Sequence, residues 1–191
     1  SVTALAVYDD GGGSALYAGG WFTTAGGGAA SAIARWDGSS WRALGSGVNN
    51  AVNALSGLPL RDQLADVRYR RLFASTMTEG LRVLKAAKIR PARLGTLTPW
   101  LAARVLPLPN FLFTRLAEAM LKIDPRARSS MWTDLERHRP TEVDLLNGEI
   151  VRLGGASGVP TPFNERIVAR IHEAEAAGRG SPRLPAEAIA L

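Results

Sequence analysis

The 191-residue sequence predicts an α+β fold: a small antiparallel four-stranded β blade followed by an all-α helical bundle. Three observations carry this reading. Composition changes near residue 50. Residues 1–50 hold 11 of the 20 glycines, no proline, and only Arg35 and Arg42 as basic residues. Residues 51–191 hold all 11 prolines and 21 of the 23 Lys and Arg. Before the break, short apolar runs alternate between glycine-rich turns, the pattern of half-buried strands. From Arg61 onward, apolar residues recur with the 3.6-residue period of amphipathic helices.

In the first part, residues 2–8 read as a strand closed by Asp9-Asp10-Gly11-Gly12-Gly13. Residues 15–18, 32–36 and 40–44 read as three more. Gly26-Gly27-Gly28 and Asp37-Gly38 mark turns, where glycine supplies positive φ at no steric cost. Val2-Thr3-Ala4-Leu5 returns as Val52-Asn53-Ala54-Leu55, an offset of 50 residues. Four short strands on a period of about 40–50 residues fit one propeller blade. The runs Leu16-Tyr17-Ala18-Gly19-Gly20-Trp21-Phe22 and Ile33-Ala34-Arg35-Trp36-Asp37-Gly38 make residues 1–55 resemble one Gly-rich β-propeller-type repeat. Trp21, Trp36 and Trp41 then read as packing residues of the blade rather than a sugar-stacking platform. The glycine clusters contain no Gly-x-Gly-x-x-Gly between strand and helix, so no cofactor-binding residue is assigned.

In the second part, Tyr69, Leu72, Phe73, Met77, Leu81 and Leu84 form one stripe and predict a long helix over residues 66–87, ended by Pro91. Residues 100–106 and 110–123 follow as two helices, and residues 130–137 as a short third. Thr141, with Asp144 three residues on, predicts a capping box for the next helix. That helix carries the stripe Val143, Leu146, Ile150 and Leu153. Thr161-Pro162 opens the last helix, whose inner face is Phe163, Ile167, Val168 and Ile171. The segment after Gly178 reads as a flexible tail. The predicted domains are therefore 1–48, 49–178 and a tail at 179–191. Residues 48–55 suit either a strand or a helix.

The formal charge is +6. The arginines are scattered through helical patterns as solvated faces, which argues against a nucleic-acid partner. The absence of cysteine excludes disulfides and thiolate ligands, and two histidines, His138 and His172, exclude a multi-histidine metal site. Both histidines read as surface residues. No stretch is apolar enough for a membrane span, and the start lacks a secretory signal pattern.

The second part resembles the C-terminal helical domain of ketopantoate reductase (2-dehydropantoate 2-reductase) over residues 49–191. The stretches that carry this are Ser129-Ser130-Met131-Trp132-Thr133-Asp134-Leu135-Glu136, Arg139-Pro140-Thr141-Glu142-Val143-Asp144, Asn147-Gly148-Glu149-Ile150, and Gly158-Val159-Pro160-Thr161-Pro162 with Asn164. The resemblance implies a helical bundle like the C-terminal domain of 6-phosphogluconate dehydrogenase. It also implies reduction of ketopantoate to pantoate with NADPH, in pantothenate and coenzyme A biosynthesis. By the same resemblance Asn49, Asn53 and Ser130 bind substrate, Glu142 is the catalytic carboxylate, and Asp134 is an orienter. Gly45 stands where the family carries its catalytic lysine. NADPH is implied by the family, yet the sequence offers no site for it, so the chain alone is expected to be inactive.

The implied partners are a small-molecule substrate and a second copy of the chain, with no nucleic acid and no membrane. The enzyme-like part implies a cytoplasmic protein, whereas the β repeat alone would imply a secreted or surface one. Two other readings stay open: a non-enzymatic interaction protein using the β repeat, and a non-functional fusion joined where Val52–Leu55 fits both parents.

Overall fold

A computed structural model describes residues 2–9, 14–20, 24–25, 28–29, 33–36, 38–39, 41–43, 47–89, 98–116 and 124–190. The chain divides into two compact units, Ser1–Gly47 and Val48–Leu191.

The first unit contains β1 (Val2–Asp9), β2 (Ser14–Gly20), β3 (Thr24–Ala25), β4 (Gly28–Ala29), β5 (Ile33–Trp36) and β6 (Trp41–Ala43). One antiparallel sheet has the order β1-β2-β5-β6, and β3-β4 form a separate ribbon. Trp36 lies opposite Trp41 in the β5-β6 register, with ring centroids 5.5 Å apart. Such cross-strand aromatic pairs stabilise a sheet face. Trp21 and the expected turns at 10–13, 26–27 and Asp37 lie outside the described residues.

The second unit is built from α1 (Gly47–Ser56), α2 (Leu60–Ala65), α3 (Val67–Ala86), α4 (Pro99–Val105), α5 (Asn110–Leu116), α6 (Ser130–Glu136), α7 (Glu149–Ser157), α8 (Pro162–Ala177) and α9 (Ala186–Ala190). A π-helical stretch, Asp144–Gly148, leads into α7.

The expected fold class is thereby corrected. The larger unit, Val48–Leu191, is all-α, with no strand among its described residues. The strands of the first unit fall in two sheets, of four and two strands, rather than in a single four-stranded blade. The ribbon β3-β4 interrupts the chain between β2 and β5, which the glycine spacing alone did not reveal.

Residues 48–55, which suited both periods, are helical. Ala51, Val52, Ala54 and Leu55 of α1 are fully buried and join one core with Phe73, Phe113, Met131, Ile167, Ile171 and Ile189. The stretch from Asn50 to Ser56 is buried at every position, so it needs no amphipathic stripe to mark its period. Of the stripe on α3, Tyr69, Leu72, Phe73 and Leu81 are buried, and Met77 and Leu84 are half-buried. The helix expected over 110–123 is described as far as Leu116.

Buried polar groups tie the helices together. Arg70 of α3 has no exposed surface. Its guanidinium donates to the carbonyls of Leu64, Leu106 and Leu108 and to Asn110 Oδ1, each at 2.8 Å. It also lies 4.2 Å from the Phe113 ring centroid. The start of α8 is capped from α3. Glu79 accepts the Phe163 and Asn164 amides at 3.0 Å each and Asn164 Nδ2 at 2.7 Å.

The loose tail is also corrected. Ser181, Ala186 and Ile189 are buried. Ser181 Oγ donates to Ala54 O at 2.6 Å, and the Leu184 amide donates to Leu55 O at 2.9 Å. The segment thus satisfies carbonyls at the end of α1, which a helix C-terminus otherwise leaves open. Gly57 allows this approach. Its φ is +65°, and a Cβ there would meet Ser181 Oγ at 2.9 Å.

Glu79→Ala leaves three donors without their partner. At about 1–3 kcal/mol for a buried unsatisfied group, a loss of about 3 kcal/mol or more is expected in urea denaturation. Asp66 caps α3 by accepting the Arg68 amide at 2.8 Å. Hydrogen bonds from the Arg68 side chain hold its carboxyl below the ordinary value. This contribution is present above the unfolded carboxylate pKa of about 4 and is lost as pH falls through the lower folded value. Asp66→Asn is expected to remove it from the acid limb of a stability–pH profile, with a change of about 1 kcal/mol or less at neutral pH.

Candidate functional site

α6 begins where it does because Ser129 caps it. Ser129 Oγ accepts the Trp132 amide at 3.1 Å and donates to Asn50 O at 2.9 Å. The Ser129 amide donates to Asn53 Oδ1 at 2.8 Å. The start of α6 is therefore hung on α1, and this fixes the next residue, Ser130. Ser130 is exposed, and its hydroxyl donates to Glu142 Oε2 at 3.5 Å. Asp134 lies one turn further along the same face of α6.

Glu142 stands just before the helical turn at Val143. The capping box expected here is replaced by a different arrangement. Thr141 Oγ1 accepts the Val143 amide at 3.3 Å. The Thr141 amide donates to Glu175 of α8 at 2.6 Å, the role expected of Asp144. Asp144 instead lies 3.1 Å from His172 Nε2. A carboxylate from α8 thus anchors the segment that carries Glu142.

Of the expected site residues, the structure brings Ser130 and Glu142 together, with Asp134 one helical turn from Ser130 on α6. Asn53 is elsewhere. It is fully buried, and its Nδ2 donates to Leu58 O at 2.8 Å and Gln63 Oε1 at 2.9 Å. Oδ1 accepts the Ser129 amide, so the Asn53 side chain is engaged in hydrogen bonds within the helical unit. Asn49 lies on α1 with its side chain outside the described residues, and Gly45 lies outside them altogether.

The sequence reading missed a second buried network. The wide turns of the π-helical stretch bring Asn147 inward, where its Nδ2 donates to Asn164 Oδ1 at 2.9 Å. Asn164 Nδ2 in turn donates to Thr76 O at 3.3 Å and to Glu79. Asn147, Asn164 and Thr76 are fully buried. Polar residues among apolar helical positions were the available signal, but their partners lie as far apart as residues 79 and 164.

Chemically, a serine hydroxyl donates and a glutamate carboxylate accepts, so the pair can hold a substrate bearing both an acceptor and a hydroxyl. A dinucleotide fits the described residues poorly. In the sequence, Gly45-Ser46-Gly47 is followed by Asn50 where the fingerprint requires its third glycine, and Asn50 is buried. Every strand pairing is antiparallel, so no parallel βαβ unit occurs among the described residues. No described helix is long and apolar enough to cross a membrane. No described cluster of three or more His, Asp or Glu could hold a metal ion.

Asn53→Ala is expected to destabilise the chain by about 2–4 kcal/mol in chemical denaturation, because it strands buried partners on α2 and α6. Stability unchanged from the parent would instead return Asn53 to a ligand-facing role.

Comparison with known proteins gives a family match over residues 35–175, described as ketopantoate reductase PanE/ApbA C terminal. The match reaches back beyond residue 49, into β5 and β6. Among solved structures, D-mandelate dehydrogenase in a ternary structure with NADH and anilino(oxo)acetate is similar, with 20% identity and a TM-score of 0.54. The likeness covers 71% of this chain and 66% of that one, and shows a shared fold. A PanE/ApbA family ketopantoate reductase from Ralstonia eutropha JMP134 is 30% identical, with a TM-score of 0.51, over 68% of this chain and 38% of that one. The chain therefore spans less than two thirds of either structure. No curated protein matches it. The resemblance of residues 1–55 to a propeller-type repeat has no support in these comparisons.

Proposed function

This chain belongs to the ketopantoate reductase PanE/ApbA C-terminal family, and we propose that Val48–Leu191 is the substrate-side wall of a nicotinamide-dependent 2-keto acid reductase. Ketopantoate is the substrate that the resemblance favours. The observation that carries the reading is the contact between Ser130 and Glu142, residues 12 apart in sequence and on separate elements. Ser130 donates to a substrate oxygen, Glu142 accepts from a substrate hydroxyl, and Asp134 orients the pair. Asn49 lies on α1 at the position that the resemblance assigns to substrate.

The same reading holds that residues 1–191 alone do not turn over. The described residues do not form a dinucleotide cradle, and Gly45 stands in the lysine position. A positioned general acid is worth about 10²–10⁴-fold in rate. A nucleotide-binding domain supplied from elsewhere would be needed to complete the site.

Two measurements on the full chain test this. Fluorescence titration with NADPH is expected to give no saturable signal, and tight saturable binding would refute the inactivity. Pantoate is expected to shift the backbone amide resonances of Ser130 and Glu142, with Ser130→Ala or Glu142→Gln weakening binding about tenfold. Pantoate shifts that are absent, or unaltered in both variants, would refute the substrate wall.

A further inference from the structure

A groove of about 570 Å³ lies within the helical unit, and Leu58, Tyr69, Arg128, Trp132, Arg183 and Pro185 are among its walls. It is not the Ser130–Glu142 face. Trp132 follows Ser130 by two residues, which turns it about 200° around α6.

Two arginines line this groove. Arg128 lies 4.7 Å above the Trp132 ring, and its Nε donates to Gly57 O at 3.1 Å. Stacking and one hydrogen bond hold the group flat, and its Nη amines have no partner among the described residues. Arg183 stands on the segment that closes α1, at a φ of +53°, a conformation that L side chains rarely adopt. Its amide donates to Ser181 Oγ at 3.4 Å, and its Cγ packs 3.3 Å from where a Gly57 Cβ would stand. Neither arginine forms an ion pair among the described residues. Tyr69 is buried, with its hydroxyl donating to Leu184 O at 3.2 Å, so that wall is apolar and fixed.

Two cations without an ion pair among the described residues, one of them preorganised, beside leucine, proline and aromatic walls match a particular ligand chemistry. The guanidinium fork pairs with a carboxylate through two parallel hydrogen bonds, and the walls accept an apolar body. We infer that this groove binds a small organic carboxylate with a compact apolar body, at a site separate from the Ser130–Glu142 pair. The site is independent of the proposed catalytic role.

Benzoate, benzamide and inorganic phosphate, titrated into the full chain by calorimetry and amide NMR, test the inference. Benzoate is expected to bind saturably at millimolar concentration and to shift the Trp132 indole N–H and the Gly57 and Leu184 amides. Benzamide and phosphate, which lack the charge or the apolar body, are expected to bind about tenfold more weakly or not at all. Arg183→Gln, at an exposed residue, and Arg128→Gln should each weaken benzoate about tenfold, with circular dichroism unchanged. Equal binding of benzoate and benzamide, equal binding of phosphate, shifts confined to Ser130 and Glu142, or no saturable binding would each overturn the assignment.

Discussion

The hydrogen bond from the Ser129 amide to Asn53 Oδ1 is the joint on which the helical unit turns. Asn53 sits in the buried stretch of α1 from Asn50 to Ser56, and Ser129 starts the helix that presents Ser130. The same asparagine reaches Leu58 and Gln63, so one side chain sets the spacing of α1, α2 and α6. Gln63 closes the circuit by donating to Ser56 Oγ at 2.7 Å and Val52 O at 3.2 Å. In an interior without water, each such group must find a partner or carry its full desolvation cost. The network therefore selects one arrangement of three helices, where apolar packing alone would tolerate several.

The two buried charges work on the same logic with different partners. Arg70 forms no ion pair among the described residues and is solvated by carbonyl oxygens at the ends of α2 and α4, where the helix dipole is negative. Glu79 meets amide donors at the start of α8, where the dipole is positive. Each charge is placed at a helix end of opposite polarity, and each ties α3 to a distant segment. The long helix that its apolar stripe made easy to find is thus also the electrostatic axis of the unit.

Helices with strong periodicity were legible from the sequence, because apolar stripes depend on residues three and four apart. Ser130 and Glu142 could be picked out through family resemblance, and their meeting depends on contacts that the local sequence does not contain. Thr141 illustrates the limit. Its spacing to Asp144 satisfied the capping-box rule, yet the carboxylate that takes its amide belongs to Glu175, 34 residues away. Asn53 illustrates another. The resemblance assigned it to substrate, and in the structure its buried amide is hydrogen-bonded to Leu58, Gln63 and Ser129. The period-two reading of the first fifty residues located strands but could not tell one blade from a sheet with an inserted ribbon. Its glycine clusters fix turns without fixing which strands pair.

The segment around Ser181 and Leu184 supplies donors to carbonyls of a helix laid down more than a hundred residues earlier. Helix α1 therefore cannot be completed until residues 181–184 have been synthesised and folded back onto it. Its terminal turn waits for Ser181 and Leu184. Until then the most apolar helix of the unit lacks its lid, a topology that favours late, all-or-none consolidation over stepwise growth from the amino end. A nascent chain stalled before Ser181 would carry an open end of α1 and is the form most exposed to capture by chaperones or to aggregation.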